Sequence, residues 1–182
     1  MTQPDDKELL LQFHEPATKE RAYTRIIKKY QEKLYWHIRR MVVEHEDAND
    51  VLQNMFIKVW NGLENFREDA QLYTWLYRIA TNECLTFLSS KRYKFFLPLN
   101  DVAAELSEKL DTSADISGDE IQLKLQKALL RLPDKQRLVF NMKYYDELKY
   151  EEISEILGTS VGALKASYHL AVKKIEEFIK NN

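Results

Sequence analysis

Cysteine occurs once in these 182 residues, at Cys84, which excludes an internal disulfide and any multi-cysteine zinc site. Glycine and proline are almost as scarce, with four of each. A fold of many short strands needs a turn-former roughly every 8–12 residues, so that class is excluded as well. The longest apolar stretches are a few residues, far below the ~20 that cross a bilayer. The acidic, polar opening MTQPDDKE predicts no signal peptide and no membrane insertion. His14, His37 and His45 show no metal-ligand spacing, and the chain offers no nucleotide loop and no triad. Cys84 stands among Ile79, Leu85 and Leu88 as a core residue would. The expectation is a chain that is not an enzyme and holds no cofactor and no metal.

What the sequence does contain is helix-forming. It is 45% hydrophobic and 31% charged, with Leu, Ile, Lys and Glu abundant. A soluble, cytoplasmic, all-α protein is expected. The net charge of −2 conceals an asymmetry. Residues 1–95 carry 15 basic against 14 acidic side chains, and residues 121–182 carry 11 against eight. Between them, residues 96–120 carry one against seven. Two mildly basic blocks flank a short acidic one.

Hydrophobic spacing divides the chain in the same way. Ala22, Tyr23, Ile26, Ile27, Tyr30, Leu34, Ile38 and Met41 recur at intervals of three and four, which predicts a helix over 17–43. Asp47 or Asn49 is a candidate cap for the next helix, which carries Val51, Leu52, Met55, Phe56, Val59 and Trp60 up to Gly62. A further helix is expected over 70–91. Periodicity then degrades over 96–118, which reads as a linker: a solvated connector or an acidic mimic of nucleic acid. Helices return over 119–131, after Pro133, over 150–157 and over 161–180. The architecture expected is therefore two small helical domains, 1–95 and 119–182, joined by a flexible acidic linker at 96–118.

Residues 150–175, YEEISEILGTSVGALKASYHLAVKKI, carry the most information. Ile153, Ile156 and Leu157 form a stripe, Gly158 supplies a left-handed residue past the helix end, and Ser160 is a ready N-cap. Two helices joined by a three-residue turn with glycine form a helix-turn-helix, whose second helix enters the major groove of DNA. On that helix Val161, Leu164, Tyr168, Ala171, Ile175 and Phe178 follow core spacing. The opposite face offers Gly162, Lys165, Ala166, His169 and Lys173, with no acid before Glu176. Small residues allow close approach to DNA, and the lysines can meet phosphates or bases. A dimeric helix-turn-helix regulator is the alternative class, but it leaves residues 47–92 unexplained.

Three segments, DANDVLQNMFIKVWNGLENF at 47–66, FREDAQLYTWLYRIATNECLTFL at 66–88 and the 132–175 stretch, occur in an order that is itself specific. Over nearly its whole length the chain resembles a bacterial RNA polymerase sigma factor of the sigma-70 family, extracytoplasmic-function group. The resemblance implies core RNA polymerase and promoter DNA as partners, and admits an anti-sigma factor. It implies polymerase docking by Asp47, Asp50, Gln53, Phe56 and Trp60, although the spacing of Phe56 and Trp60 equally suits core positions. It implies recognition and opening of the −10 region by Phe66, Tyr73, Thr74, Trp75, Arg78, Asn82, Lys91 and Arg92, where aromatics beside cations suit unstacked bases. Ser160, Gly162, Ala163, Lys165, Ala166, His169 and Lys173 would then serve the −35 element. Lys149 stands where the family usually has a Ser or Thr cap, a loss of typically ~1 kcal/mol. In related sigma factors the connector threads the polymerase cleft, where the acids of 99–120 would stand in for RNA.

Overall fold

The computed structural model describes residues 5–95, 108 and 120–182. The linker expected over 96–118 lies outside the described residues except for Glu108, which is exposed. Among the described residues every regular element is an α-helix: α1 (Asp6–His14), α2 (Lys19–Val42), α3 (His45–Leu63), α4 (Leu72–Phe95), α5 (Glu120–Leu130), α6 (Asp134–Tyr144), α7 (Tyr150–Leu157) and α8 (Val161–Asn181).

The N-terminal half is organised by α2, whose stripe of Ala22, Ile26, Tyr30, Leu34, Ile38 and Met41 is buried. Spacing of three and four puts these side chains on one face, and α1, α3 and α4 pack around it. Helix α1 is not anticipated by the periodicity. It buries Leu9, Leu10 and Phe13, and Asp6 fastens it to α2. The Asp6 carboxylate lies 2.7 Å from the Lys29 ammonium and accepts from the Tyr30 hydroxyl. Burial first, and Asp6 second, raise the Tyr30 phenol well above its usual range.

Two expected boundaries are corrected. Helix α3 begins at His45 with Glu44 as its cap residue, so Asp47 lies inside the first turn, where an acid complements the helix dipole. Gly62 does not stop α3, which runs through Leu63. Its role is steric: a Cβ there would stand 3.1 Å from Cζ2 of Trp75. Between α2 and α3 the chain turns at Val43, a buried β-branched residue with φ +72°. Such a backbone costs about 1–3 kcal/mol and persists only where packing over-determines it.

In the C-terminal half Ala128, Leu129, Leu132, Phe140, Ala171 and Ile175 form a small core. The Phe140 and Tyr168 rings stack across it with centroids 5.6 Å apart. Pro133 is the cap residue of α6, one position before its expected place. The helix-turn-helix forms as its residues predict. Gly158 has φ +64° and donates its N–H to the Ser154 carbonyl, while the Ser160 hydroxyl accepts from the Ala163 N–H. At the start of α7, Glu152 compensates for the missing hydroxyl cap by accepting from the Lys149 N–H at 2.7 Å.

The halves are joined by more than the intervening chain. Leu130, Leu138, Val139, Met142, Leu148, Ile153, Ile156 and Leu164 belong to the same buried cluster as the N-terminal core. Helix α7 packs on α4, and α6 packs on α2.

The turn at Gly158 gives a direct test. No atom lies within 4 Å of a Cβ built there, so Gly158→Ala meets only the left-handed backbone penalty. A loss of about 1 kcal/mol is expected in urea unfolding.

Candidate nucleic-acid interface

On α3 the residues expected to dock on a partner divide by burial. Asp50 and Gln53 are exposed, and Asp47 is half-buried with its carboxylate 3.9 Å from the Lys91 ammonium. Phe56 and Trp60 are both engaged within the fold. Phe56 is 9% exposed and its carbonyl accepts from the Tyr23 hydroxyl. Trp60 packs edge-on against Phe13 and Tyr23, with Lys19 over its ring. The apolar side chain that α3 does present is Ile57, 55% exposed. It lies four residues after Gln53 and seven after Asp50, hence on their face. That spacing is legible in the sequence.

Around α4 the expected −10 residues fall into separate groups. Phe66 and Trp75 are half-buried and meet with centroids 5.0 Å apart, the pair seated over Gly62. Arg78 and Asn82 are exposed one turn apart. Thr74 is removed from the surface: at 1% exposure it belongs to the core and cannot touch DNA. Lys91 lies near Asp47 and 5.9 Å from the Phe87 ring, at the end of α4 away from Phe66. Arg92 lies on α4, but its side chain is outside the description. Tyr73 and Arg78 are engaged by the other half of the molecule. The Tyr73 hydroxyl donates to the Glu152 carboxylate, and Arg78 Nη2 donates to the Glu155 carbonyl at 2.6 Å.

On α8 the division is cleaner. Leu164, Ala171 and Ile175 are buried, whereas Ser160, Gly162, Ala163, Lys165, Ala166, His169 and Lys173 are all exposed. Lys165 and Lys143 both lie within 6 Å of the Tyr150 ring centre, a separation at which a cation is attracted by an aromatic face.

Between the halves runs a polar seam that the sequence did not foretell. Asp146, in the turn between α6 and α7, lies 3.0 Å from Arg40 Nη1 and 3.3 Å from His37 Nδ1. The other ring nitrogen of His37 lies 3.0 Å from the Thr81 hydroxyl on α4. Carboxylate, imidazole and hydroxyl thus follow the order of a hydrolytic relay. His37 and Thr81 are buried, however, so the hydroxyl meets no substrate and the arrangement is a structural joint. Tyr77 and Tyr145 flank it. Burial raises both phenols, Tyr145 to about 12, and Asp146 adds to the effect on Tyr77. Arg40 lies over the Tyr145 ring at 4.5 Å.

No helix among the described residues is long and apolar enough to cross a membrane, and no group of His, Cys, Asp and Glu among them could hold a metal ion.

The chain matches two family descriptions in the order just described: Sigma-70 region 2 over residues 26–93 and Sigma-70, region 4 over residues 122–175. It is 30% identical to RNA polymerase sigma-H factor of Pseudomonas aeruginosa, across 99% of this chain and 96% of that one. It is 33% identical to the extracytoplasmic-function (ECF) RNA polymerase sigma factor SigW of Bacillus subtilis, across 81% and 83%. This chain belongs to the extracytoplasmic-function group of sigma-70 family RNA polymerase sigma factors. Its fold is shared by CnrH in complex with the cytosolic domain of CnrY, with a TM-score of 0.69 and 21% identity over 97% of this chain and 98% of that one. The sigma factor RpoE of Bartonella quintana, in complex with the anti-sigma factor NepR, gives 0.67 and 19% over 87% and 96%.

Burial of Cys84 in the core pushes its thiol pKa far up. A maleimide or disulfide reagent should therefore leave the native protein unlabelled and modify one thiol per chain after unfolding in guanidinium.

Proposed function

We propose that this chain binds core RNA polymerase in the cytoplasm and directs it, as a non-enzymatic subunit, to a subset of promoters. Residues 1–95 dock on the polymerase and capture the −10 element, residues 119–182 read the −35 element, and residues 96–118 connect them. The observation that carries this reading is the outward face of α8. Seven residues expected to meet DNA are exposed, while Leu164, Ala171 and Ile175 on the other side of the helix are buried. Asp50, Gln53 and Ile57 form the docking ridge, with Phe56 and Trp60 shaping it from beneath. Phe66, Trp75, Arg78 and Asn82 handle the −10 strand, with Tyr73 available once Glu152 releases it. The solved relative from Bartonella quintana is bound to an anti-sigma factor, and an anti-sigma partner for this chain belongs to the same proposal.

Magnitudes limit what the chain does alone. Opening a base step costs about 1.4 kcal/mol on average, and stacking one base on an aromatic returns roughly 1–3 kcal/mol. Phe66 and Trp75 therefore hold one or two unstacked bases, and polymerase supplies the rest of the bubble.

Transcription with purified core polymerase on a library of randomised promoters tests the whole reading. A defined pair of elements should be recovered with this chain and not without it. Phe66→Ala and Asn82→Ala should lower open-complex formation with polymerase affinity unchanged, and a premelted template should rescue both. Lys165→Glu should cost at least several-fold on promoters that depend on the −35 contact. Lys173→Ala should lose binding independently of sequence, with the dependence of affinity on salt shallower by about one phosphate contact than in the parent. Ile57→Glu, which exchanges exposed apolar area for a charge, should weaken polymerase binding at least about tenfold, an interface cost of about 1.4 kcal/mol. Unchanged affinity of this variant for core polymerase would place docking elsewhere.

A further inference from the structure

A cavity of about 760 Å³ lies between α2, α4 and the turn that joins α6 to α7. The residues assigned to polymerase docking and to the −35 element do not line it. Its volume falls within the range of small-molecule sites, and its walls combine rings with carboxylates. The rings include Trp36 of α2 and Tyr73 of α4, both half-buried, with Tyr77 and Tyr145. The carboxylates are Glu32 of α2, Asp146 and Glu147 of the turn, and Glu152 of α7.

Charge decides what such a cavity takes. Among the described residues its cations are Lys29, Lys33 and Arg40, three against those four carboxylates. Lys29 is met by Asp6, a fifth carboxylate, and Arg40 is met by Asp146. Although the Asp146 side chain is only 7% exposed, its Oδ2 accepts no hydrogen bond from the described residues. Glu147 presents an exposed carboxylate from a backbone with φ +54°, where glycine would sit without strain. A phosphate-bearing ligand would meet this acidic excess. An ammonium gains both from the carboxylates and from the ring faces. Glu32 stands just over two turns of α2 before Arg40, the partner of Asp146, which is about 12 Å along the helix axis. The acids are therefore spread along the cavity, which suits a linear cation with several amines better than a metal ion.

We propose that this cavity binds a linear polyamine. One ammonium donates to Oδ2 of Asp146, Glu147 and Glu32 hold the others near the mouth, and the methylene segments lie against Trp36 and Tyr73. Elements of both halves contribute, so occupancy stabilises the chain as a whole. Binding needs neither DNA nor polymerase, and its failure leaves the promoter reading untouched.

Spermidine is the probe, added to the full chain without polymerase at ~150 mM salt, where diffuse attraction between exposed charges is screened. Equilibrium dialysis should give one equivalent bound per chain. The melting temperature should rise by at least about 2 °C at about tenfold excess over the dissociation constant. Glu32→Gln with Glu147→Gln should weaken binding at least about tenfold. Glu147→Gly relieves the left-handed backbone, so it should lose affinity without lowering the melting temperature of the free chain. Trp36→Phe keeps a ring in the wall and should remove the change in tryptophan fluorescence that spermidine causes in the parent. Absence of saturable binding at millimolar spermidine overturns the proposal. Affinity that survives the double variant, or a fluorescence change that survives Trp36→Phe, places the cation elsewhere and overturns it too. Displacement of spermidine by magnesium at equal charge shows a diffuse counterion and no built site. If ATP binds with the Trp36 signal and spermidine does not, the cavity takes an anion and the polyamine assignment fails.

Discussion

A carboxylate withdrawn from water is costly by several kcal/mol unless charges and donors meet it, and Asp146 is met by side chains more than a hundred positions away. Arg40 and His37 lie on the long helix that organises the N-terminal half, while Asp146 lies in a turn of the C-terminal half. Apolar contacts such as those of Leu148, Ile153 and Ile156 supply attraction between the halves, but attraction of that kind has no preferred register. The ion cluster supplies register. It brings α7 to α4 at the level where Glu152 meets Tyr73. The backbone on either side is strained: Val43, just past the end of α2, has φ +72°, and Glu147, beside Asp146, has φ +54°. Both residues lack the freedom of glycine there, so the joint is tight on both of its edges.

Most of the helices were legible because burial follows a spacing of three and four. The stripe from Ala22 to Met41 and the Gly158–Ser160 turn needed no information from distant residues. What was missed needed such information. Helix α1 carries three consecutive leucines, a cluster with no clean stripe, and nothing in its spacing shows that Phe13 covers Trp60. The spacing of Trp60 and Phe56 therefore suits a core position and a partner surface equally well. Thr74 misled in the opposite direction, since a hydroxyl beside Tyr73 and Trp75 suits a DNA contact equally well until the fold turns it inward. Gly62 was read by its usual role as a helix stop, when what matters is the room it leaves for Trp75.

The two surfaces proposed to face DNA differ in kind. The face of α8 is exposed, and its polar and small side chains are separated from the core by helical geometry alone. The face of α4 is composite. Phe66 and Trp75 support each other over Gly62, and Tyr73 and Arg78 are held by another helix. The first helix of a helix-turn-helix crosses the DNA backbone when the second lies in the groove. In this chain that first helix is α7, whose Glu152 carboxylate and Glu155 carbonyl also meet α4.

The separation in sequence between Arg40 and Asp146 has a consequence for synthesis. Arg40 and Asp146 are 106 residues apart. A ribosome adding about 5–20 residues per second needs roughly 5–20 seconds to travel from one to the other. The contacts within α1–α4 are complete in sequence long before α7 is made, and local helical contacts form in far less time than that. In each nascent chain α4 is therefore made, and its face is uncovered, before α7 exists to pack on it. The order of translation gives the protein an open state first, and closure arrives only with the last third of the message.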